Sequence, residues 1–338
     1  MPVMAAASDE ELIDLLREHG GRREVRRLSR RPYRYATSAP LEELQVEMDD
    51  GAMKALIFKD LSRERLLGDA RATKPEFLHE PCRELEAYRR ILAPAGIGPR
   101  CVAAVADSDP PRHWLLIEKV PGVELWQVGE LSVWEEVARW LGGFHARFAE
   151  QLDELRAANP YLLELSDPWF RSWWERARAA LDRSADPRAS VLRRALDRYD
   201  EVIASLAALP RTFVHGELYP SNVLVVRDER PLRVCPVDWE MAAIGPAPID
   251  LAALVGGWGE PERRRLVAAY LSGLPEGITV IPNSETLDTD LARCRLHLAL
   301  QWLGWSTDWR PPPEHAHDWV GEALMLAQEL GLTDDVLT

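Results

Sequence analysis

Cysteine and lysine are both scarce in this chain of 338 residues, and long apolar runs are missing altogether. The four cysteines, Cys82, Cys101, Cys235 and Cys294, lie far apart with no paired spacing. Disulfide frameworks and zinc ribbons are therefore poor fits, and a reducing compartment is the simpler reading. No stretch has the length and apolarity needed to span a bilayer, so no membrane partner is expected. The opening residues, "MPVMAAASDEELIDLLREHGG", carry neither the basic nor the apolar segment of a secretory signal, which makes the cytoplasm the expected location. The lysines are Lys54, Lys59, Lys74 and Lys119, against a large excess of arginine, so a lysine at a chemically demanding position stands out. The net charge of −14 argues against a nucleic acid polymer as the main partner, because neutralising phosphates needs an excess of basic residues.

What the chain does have is apolar content of 46% and 13 tryptophans, enough to exclude disorder and to build two lobes around large cores. "SDEE" reads as a capping box, Ser8 with Glu11, opening a short helix that stops at Gly20 and Gly21. "LEELQVEMDDGAMKALIFKDL" alternates apolar and polar residues on both sides of "DDG", the signature of a β-hairpin. "EPCRELEAYRRIL" has the period of an amphipathic helix with Leu85, Tyr88 and Leu92 on one face, and "HWLLIEKVPG" is a further strand. From residue 123 the pattern turns helical. "VWEEVARWLGGFHARFAEQL" puts Trp134, Val137, Leu141, Phe144, Phe148 and Leu152 on one buried stripe, with His145 beside it as a hydrogen-bonded core residue. The strands of this half are expected only around one motif. Helices are expected in "RALDRYDEVIASLAAL", "ERRRLVAAYLSGL" and "LARCRLHLALQWLGW". The division is a strand-rich N-terminal lobe, residues 1–118, and a helical C-terminal lobe, residues 119–338.

The motif is "HGELYPSNVLVVRDERPLRVCPVDWE". "NVLVV" and "LRVCPVDW" are β-rich runs around a polar turn and should pair as an antiparallel hairpin. Asn222 begins the first strand and Asp238 closes the second, so pairing brings an amide oxygen and a carboxylate to one end. That set suits Mg²⁺, which takes few protein ligands and completes its octahedron with water and phosphate oxygens. The loop before Asn222 carries His215 and Glu217 toward the same end. Phosphoryl transfer needs such groups, together with a lysine to hold the nucleotide phosphates. Lys59 ends the apolar strand "MKALIFKD", and Glu84 in the following helix is a partner that would fix it. A strand lysine, a helix glutamate, a catalytic acid, an asparagine and a metal-binding aspartate thus occur in the order of the kinase template.

With these residues the chain resembles the aminoglycoside phosphotransferase and choline kinase-like superfamily of small-molecule kinases. "HGELYPSN" keeps the spacing of that family's His-Gly-Asp-x-x-x-x-Asn loop, and Asp250 in "VDWEMAAIGPAPIDLAAL" stands at its second, structural aspartate. "WLLIEKVPG" resembles the linker whose backbone holds adenine, here Glu118, Lys119 and Val120. The resemblance implies an α+β, protein kinase-like two-lobed fold, and ATP and Mg²⁺ as cofactors. It also implies transfer to a hydroxyl of a small molecule: an aminoglycoside, another sugar, an amino alcohol or a related antibiotic.

The sequence departs from the family twice. "SRRPYRYATSAP", read as the loop between the first two strands, lacks phosphate-covering glycines, so Thr37, Ser38 and nearby backbone N–H groups are assigned that task. Glu217 stands where the family has aspartate. The extra methylene extends its reach by about 1.5 Å, and a misplacement of about 1 Å can cost a hundredfold in rate. Glutamate can fold back through another rotamer, so the site reads as altered but working. The alternative is a nucleotide-binding pseudokinase acting as a regulatory or interaction protein. A metal hydrolase built on His215 and "EHAHD" (Glu314, His315, His317, Asp318) is a third reading, which predicts bound zinc. The "EHAHD" stretch lacks zinc-type spacing and reads as a solvated loop. Trp302, Trp305 and Trp309, with Glu240, are candidate acceptor contacts; tryptophans at helical spacing are otherwise core.

Overall fold

A computed structural model describes residues 7–19, 24–33, 39–109, 111–281, 285–305 and 317–333. In chain order the first half contains α1 (Asp9–His19), β1 (Val25–Pro32), β2 (Leu41–Met48), β3 (Met53–Asp60), α2 (Gly68–Thr73), α3 (Pro81–Glu86), α4 (Ala93–Ala95), β4 (Cys101–Ser108), β5 (Pro111–Glu118) and β6 (Val123–Glu124). Then come α5 (Leu131–Phe148), α6 (Leu152–Ala158), β7 (Leu163–Glu164), α7 (Asp167–Arg183), α8 (Pro187–Ala195), α9 (Tyr199–Ala207), β8 (Arg211–Val214), β9 (Val223–Val226) and β10 (Arg233–Pro236). The chain closes with β11 (Ala243–Pro246), α10 (Pro248–Val255), α11 (Glu260–Ser272), α12 (Leu287–Trp305) and α13 (Trp319–Glu329). Among the described residues no helix is long and apolar enough to cross a membrane.

The chain divides into two compact units. The first comprises Met1–Glu124, Leu155–Tyr161 and Asn222–Met241. Its sheet has the order β1-β2-β3-β5-β4, every neighbouring pair antiparallel. The alternation of β2 and β3 directs Leu44, Val46, Met48, Leu56 and Phe58 into one core, which Leu12, Leu15 and Leu16 of α1 complete. The capping box forms as expected, with the Ser8 hydroxyl accepting from the Glu11 N–H at 3.2 Å and Glu11 accepting from the Ser8 N–H at 2.8 Å. The end of that helix at Gly20 and Gly21 lies outside the described residues. On α3 and its continuation, Leu85, Tyr88 and Leu92 are all buried, the stripe that the periodicity implies. The continuation, Ala87–Leu92, is π-helical, a widening that sequence period does not signal.

Two strands of this unit, β4 and β6, are not among those the sequence pattern marks. β1 takes up Ser29–Pro32, so the stretch read as a loop is shorter at its start. Thr37 and Ser38 lie outside the described residues. A smaller sheet, β10-β9-β6, holds the expected hairpin, with Val223 opposite Pro236 and Val226 opposite Arg233.

The second unit, Leu125–Glu154, Leu162–Ser221 and Ala242–Thr338, is helical around Phe170, Trp173, Tyr199, Phe213 and Tyr270, each fully buried. Trp134, Val137, Leu141, Phe144 and Phe148 are buried along α5. Leu152 does not join them: α5 ends at Phe148, and Leu152 opens α6 half-exposed. Where α5 passes α11, a Cβ on Gly142 would stand 2.3 Å from the Tyr270 carbonyl oxygen, so only glycine permits the approach. The unit's strands form a short sheet of order β7-β11-β8, of which β7 and β11 had no signal in the sequence.

Candidate active site

In the first unit, β3 delivers Lys59 into a buried cluster of carboxylates. Its ammonium lies 2.7 Å from Glu84 of α3 and 2.5 Å from Asp238 beyond β10. Burial works against the charge of Lys59, but attraction to Asp238, Glu84 and Glu240 carries its pKa well above the ordinary lysine value. Burial pushes the Glu84 carboxyl up to about 7, against the pull of Lys59. Asp238 is the only non-glycine residue among those described with a positive φ, 66°. That left-handed backbone costs about 1 kcal/mol, at the residue whose carboxylate meets the lysine. Asn222 is fixed at the same hairpin end, its carbonyl accepting from the Val237 N–H at 2.9 Å.

Glu240, two residues past Asp238, accepts from Lys74 at 2.7 Å. Its carbonyl also accepts from Arg83 at 2.9 Å, and the same guanidinium donates to the Tyr161 carbonyl at 2.8 Å. Arg83 precedes Glu84 on α3 and is buried, so it anchors the helix that presents the glutamate. Neither Lys74 nor Arg83 was marked from the sequence. The signal available was the scarcity of lysine, which applies to Lys74 as much as to Lys59.

The linker after β5 is tied down by charge. Glu118 pairs with Arg233 through two bonds of 2.9 and 2.7 Å, and Lys119 reaches Glu43 of β2 at 2.8 Å. The Glu118 and Lys119 N–H groups donate to the carbonyls of Arg100 and Ala55. Val120 is buried, and no backbone acceptor meets its N–H among the described residues.

In the second unit, β8 runs directly into His215-Gly216-Glu217. Gly216 adopts φ 84°, a turn that a side chain would strain. Asp250, in the first turn of α10, accepts from the His215 N–H at 2.7 Å and the Gly216 N–H at 2.9 Å. Behind it the His145 ring lies 3.3 Å from the carboxylate and 3.0 Å from the Tyr270 hydroxyl, the buried, hydrogen-bonded setting expected for that histidine. The His215 ring is fully buried and accepts from the Glu217 N–H at 3.3 Å, which shapes the loop from within.

Glu217 accepts from the Gln301 amide of α12 at 3.1 Å. The next residue, Trp302, donates its indole N–H to the Tyr219 hydroxyl at 2.7 Å and stacks on Trp319 with ring centroids 5.4 Å apart. Trp305 packs against Trp173 at 5.6 Å. Trp309 lies outside the described residues, as do Glu314 and His315. His317 bonds Glu322 at 2.6 Å, and Asp318 caps α13 through the Gly321 N–H while pairing with Arg188. No group of three His, Cys, Asp or Glu side chains placed to hold a metal ion occurs among the described residues.

A family model, described as the phosphotransferase enzyme family, matches residues 38–279. Three solved structures illustrate the similarity. A microcompartment-associated aminopropanol kinase has a TM-score of 0.62 at 17% identity, over 98% of this chain and 99% of its own. Macrolide 2'-phosphotransferase MphH from Brachybacterium faecium gives 0.56 at 19%, over 95% and 97%. The GDP complex of aminoglycoside 2'-phosphotransferase-IIIa gives 0.55 at 14%, over 96% and 98%. No curated protein matches the sequence. At these identities the structures establish the fold, which is the protein kinase-like α+β arrangement expected above.

Proposed function

Because the chain belongs to the phosphotransferase enzyme family, we propose that it transfers the γ-phosphoryl group of ATP, with Mg²⁺, to a hydroxyl of a small molecule. The observation that carries this reading is Lys59, a lysine in an apolar strand, held between Glu84 and Asp238. Such a cluster keeps an ammonium charged and in place for phosphate, and it sets a carboxylate beside it for a metal. Asp238 and Asn222 would hold Mg²⁺, whose chemistry when bound is to neutralise charge on the phosphate oxygens. The residues fit: the Asp238 side chain is 37% exposed, so its carboxylate is open to a ligand, and the Lys59 ammonium stands 2.5 Å from it. Among the described residues the N–H of the buried Val120 meets no backbone acceptor, and an acceptor nitrogen of a purine would satisfy such a donor.

Glu217 takes the acceptor's proton. The acceptor oxygen forms its bond to the γ-phosphorus as the bond to the β–γ bridging oxygen breaks, and the nucleoside diphosphate leaves. His215 and Asp250 shape the loop that carries Glu217 and stay out of the chemistry. Trp302 is the acceptor contact, an aromatic face suited to a sugar ring or an ammonium group.

The named neighbours include an aminopropanol kinase and macrolide and aminoglycoside phosphotransferases. Amino alcohols and hydroxylated antibiotics are therefore the first acceptors to try, with ATP and GTP compared as donors. Thermal shift should show greater stabilisation by nucleotide with Mg²⁺ than without, followed by acceptor-dependent release of nucleoside diphosphate. Stabilisation with no turnover against any acceptor would point to a pseudokinase, and no nucleotide effect at all would end the reading.

A further inference from the structure

We propose that Gln301 is the positioning residue that makes a glutamate workable at position 217, an inference that rests on the phosphotransferase reading above. Gln301 lies in the apolar run "LHLALQWLGW" of α12 and is 3% exposed. Burying an amide is unfavourable unless its hydrogen bonds are made, and here its Nε2 donates to Glu217 Oε1 at 3.1 Å. The contact depends on the side chain's length. Aspartate at 217 would withdraw the oxygen by about 1.5 Å, one carbon–carbon bond, which is beyond hydrogen-bond range. Glutamate and Gln301 are thus a matched pair.

The chemistry of the donor matters as much as its reach. A neutral amide gives the carboxylate a charge-assisted bond and one fixed rotamer. It does not neutralise the group, as an ammonium would. The backbone on either side is held separately. The Glu217 N–H donates to the His215 ring, the Glu217 carbonyl accepts from the Tyr219 N–H at 2.7 Å, and Trp302 bonds the Tyr219 hydroxyl. Consecutive residues of α12 therefore grip the loop at two points, and Gln301 is the one that acts on the reactive side chain. In the transfer step the acceptor's proton passes to the Glu217 carboxylate while the phosphorus–oxygen bonds exchange. Gln301 acts here through its bond to Glu217, so its effect is on orientation.

Two measurements on the full chain test this. With ¹⁵N-glutamine labelling, the Gln301 side-chain amide signal is assigned by its loss in Gln301→Leu, and it should move on Glu217→Asp. An unmoved signal would overturn the contact. The second is ADP release from Mg²⁺-ATP with water as the acceptor, in which a water proton goes to Glu217 and inorganic phosphate is formed. Gln301→Leu should lower kcat about ten- to a hundredfold, with KM for ATP unchanged. In a Glu217→Asp background the same substitution should add less than about twofold, because the bond is already absent. An equal loss in both backgrounds would show an effect on the fold and overturn the positioning role. If the wild type releases no ADP with water or any hydroxyl acceptor, the phosphotransferase reading falls and takes the catalytic role with it. The amide signal would still decide whether Gln301 holds Glu217.

Discussion

In the first unit Lys59 is enclosed by Glu84 and Asp238, and Lys74 sits on Glu240, so acids there are matched by full positive charge. In the second unit, among the described residues, Glu217 accepts from an amide, and Asp250 meets two backbone N–H groups and an imidazole. On the proposed function, the difference follows from what each set of groups would do. Receiving phosphate and metal calls for fixed opposite charges that hold one another in position until the ligand arrives. A carboxylate that must accept a proton is better served by a neutral donor, since an adjacent ammonium would make it a poorer base.

The comparison breaks most visibly at Asp238. Asp238→Ala should lower turnover by about a thousandfold and bring stabilisation by Mg²⁺-ATP down to that by ATP alone, read by thermal shift. Lys59→Ala should follow, with a loss of about a hundredfold in kcat/KM for ATP. Circular dichroism should show the fold intact. Asp250→Ala should do the reverse. It leaves the His215 and Gly216 N–H groups buried without their acceptor, a loss of about 3 kcal/mol, measured by urea denaturation. Two aspartates of one motif are thereby separated, one by activity and the other by stability.

The smallest effect concerns Glu43, buried on β2. The Lys119 ammonium, with Arg31 and Gln45, holds its carboxyl down at about 2, against burial. A carboxyl depressed on folding contributes stability that is fully present above its unfolded value near 4.5 and is lost as pH falls toward 2. Denaturation midpoints of wild type and Glu43→Gln should therefore differ at pH 6 and converge as pH is lowered through that window.

The sequence carried the first unit's hairpin, the α5 stripe and the capping box, because each is a local pattern with its own period. It did not carry the full extent of β1, whose Ser29–Pro32 reads as loop. As the edge strand, "VRRLSRRP" spends its arginines on cross-strand pairs with Glu42, Glu43 and Glu47 and shows little apolar alternation. β11 was hidden for the opposite reason: all four of its residues are buried, so no alternation marks it. The charged cluster was legible as a set of residue types in order. The grip of Gln301 on Glu217 was not, since it joins positions 84 apart by tertiary packing. A lone glutamine inside the apolar run that ends α12 was the one available sign of it.

Glu217→Gln tests the central claim most directly. The variant keeps the side chain's length and polarity but cannot take a proton. Acceptor-dependent turnover should fall by about a hundredfold or more, while the affinity for Mg²⁺-ATP, measured by calorimetry on the same preparation, stays within about twofold. Turnover equal to wild type would contradict proton transfer by Glu217 and reduce the residue to a positioning group.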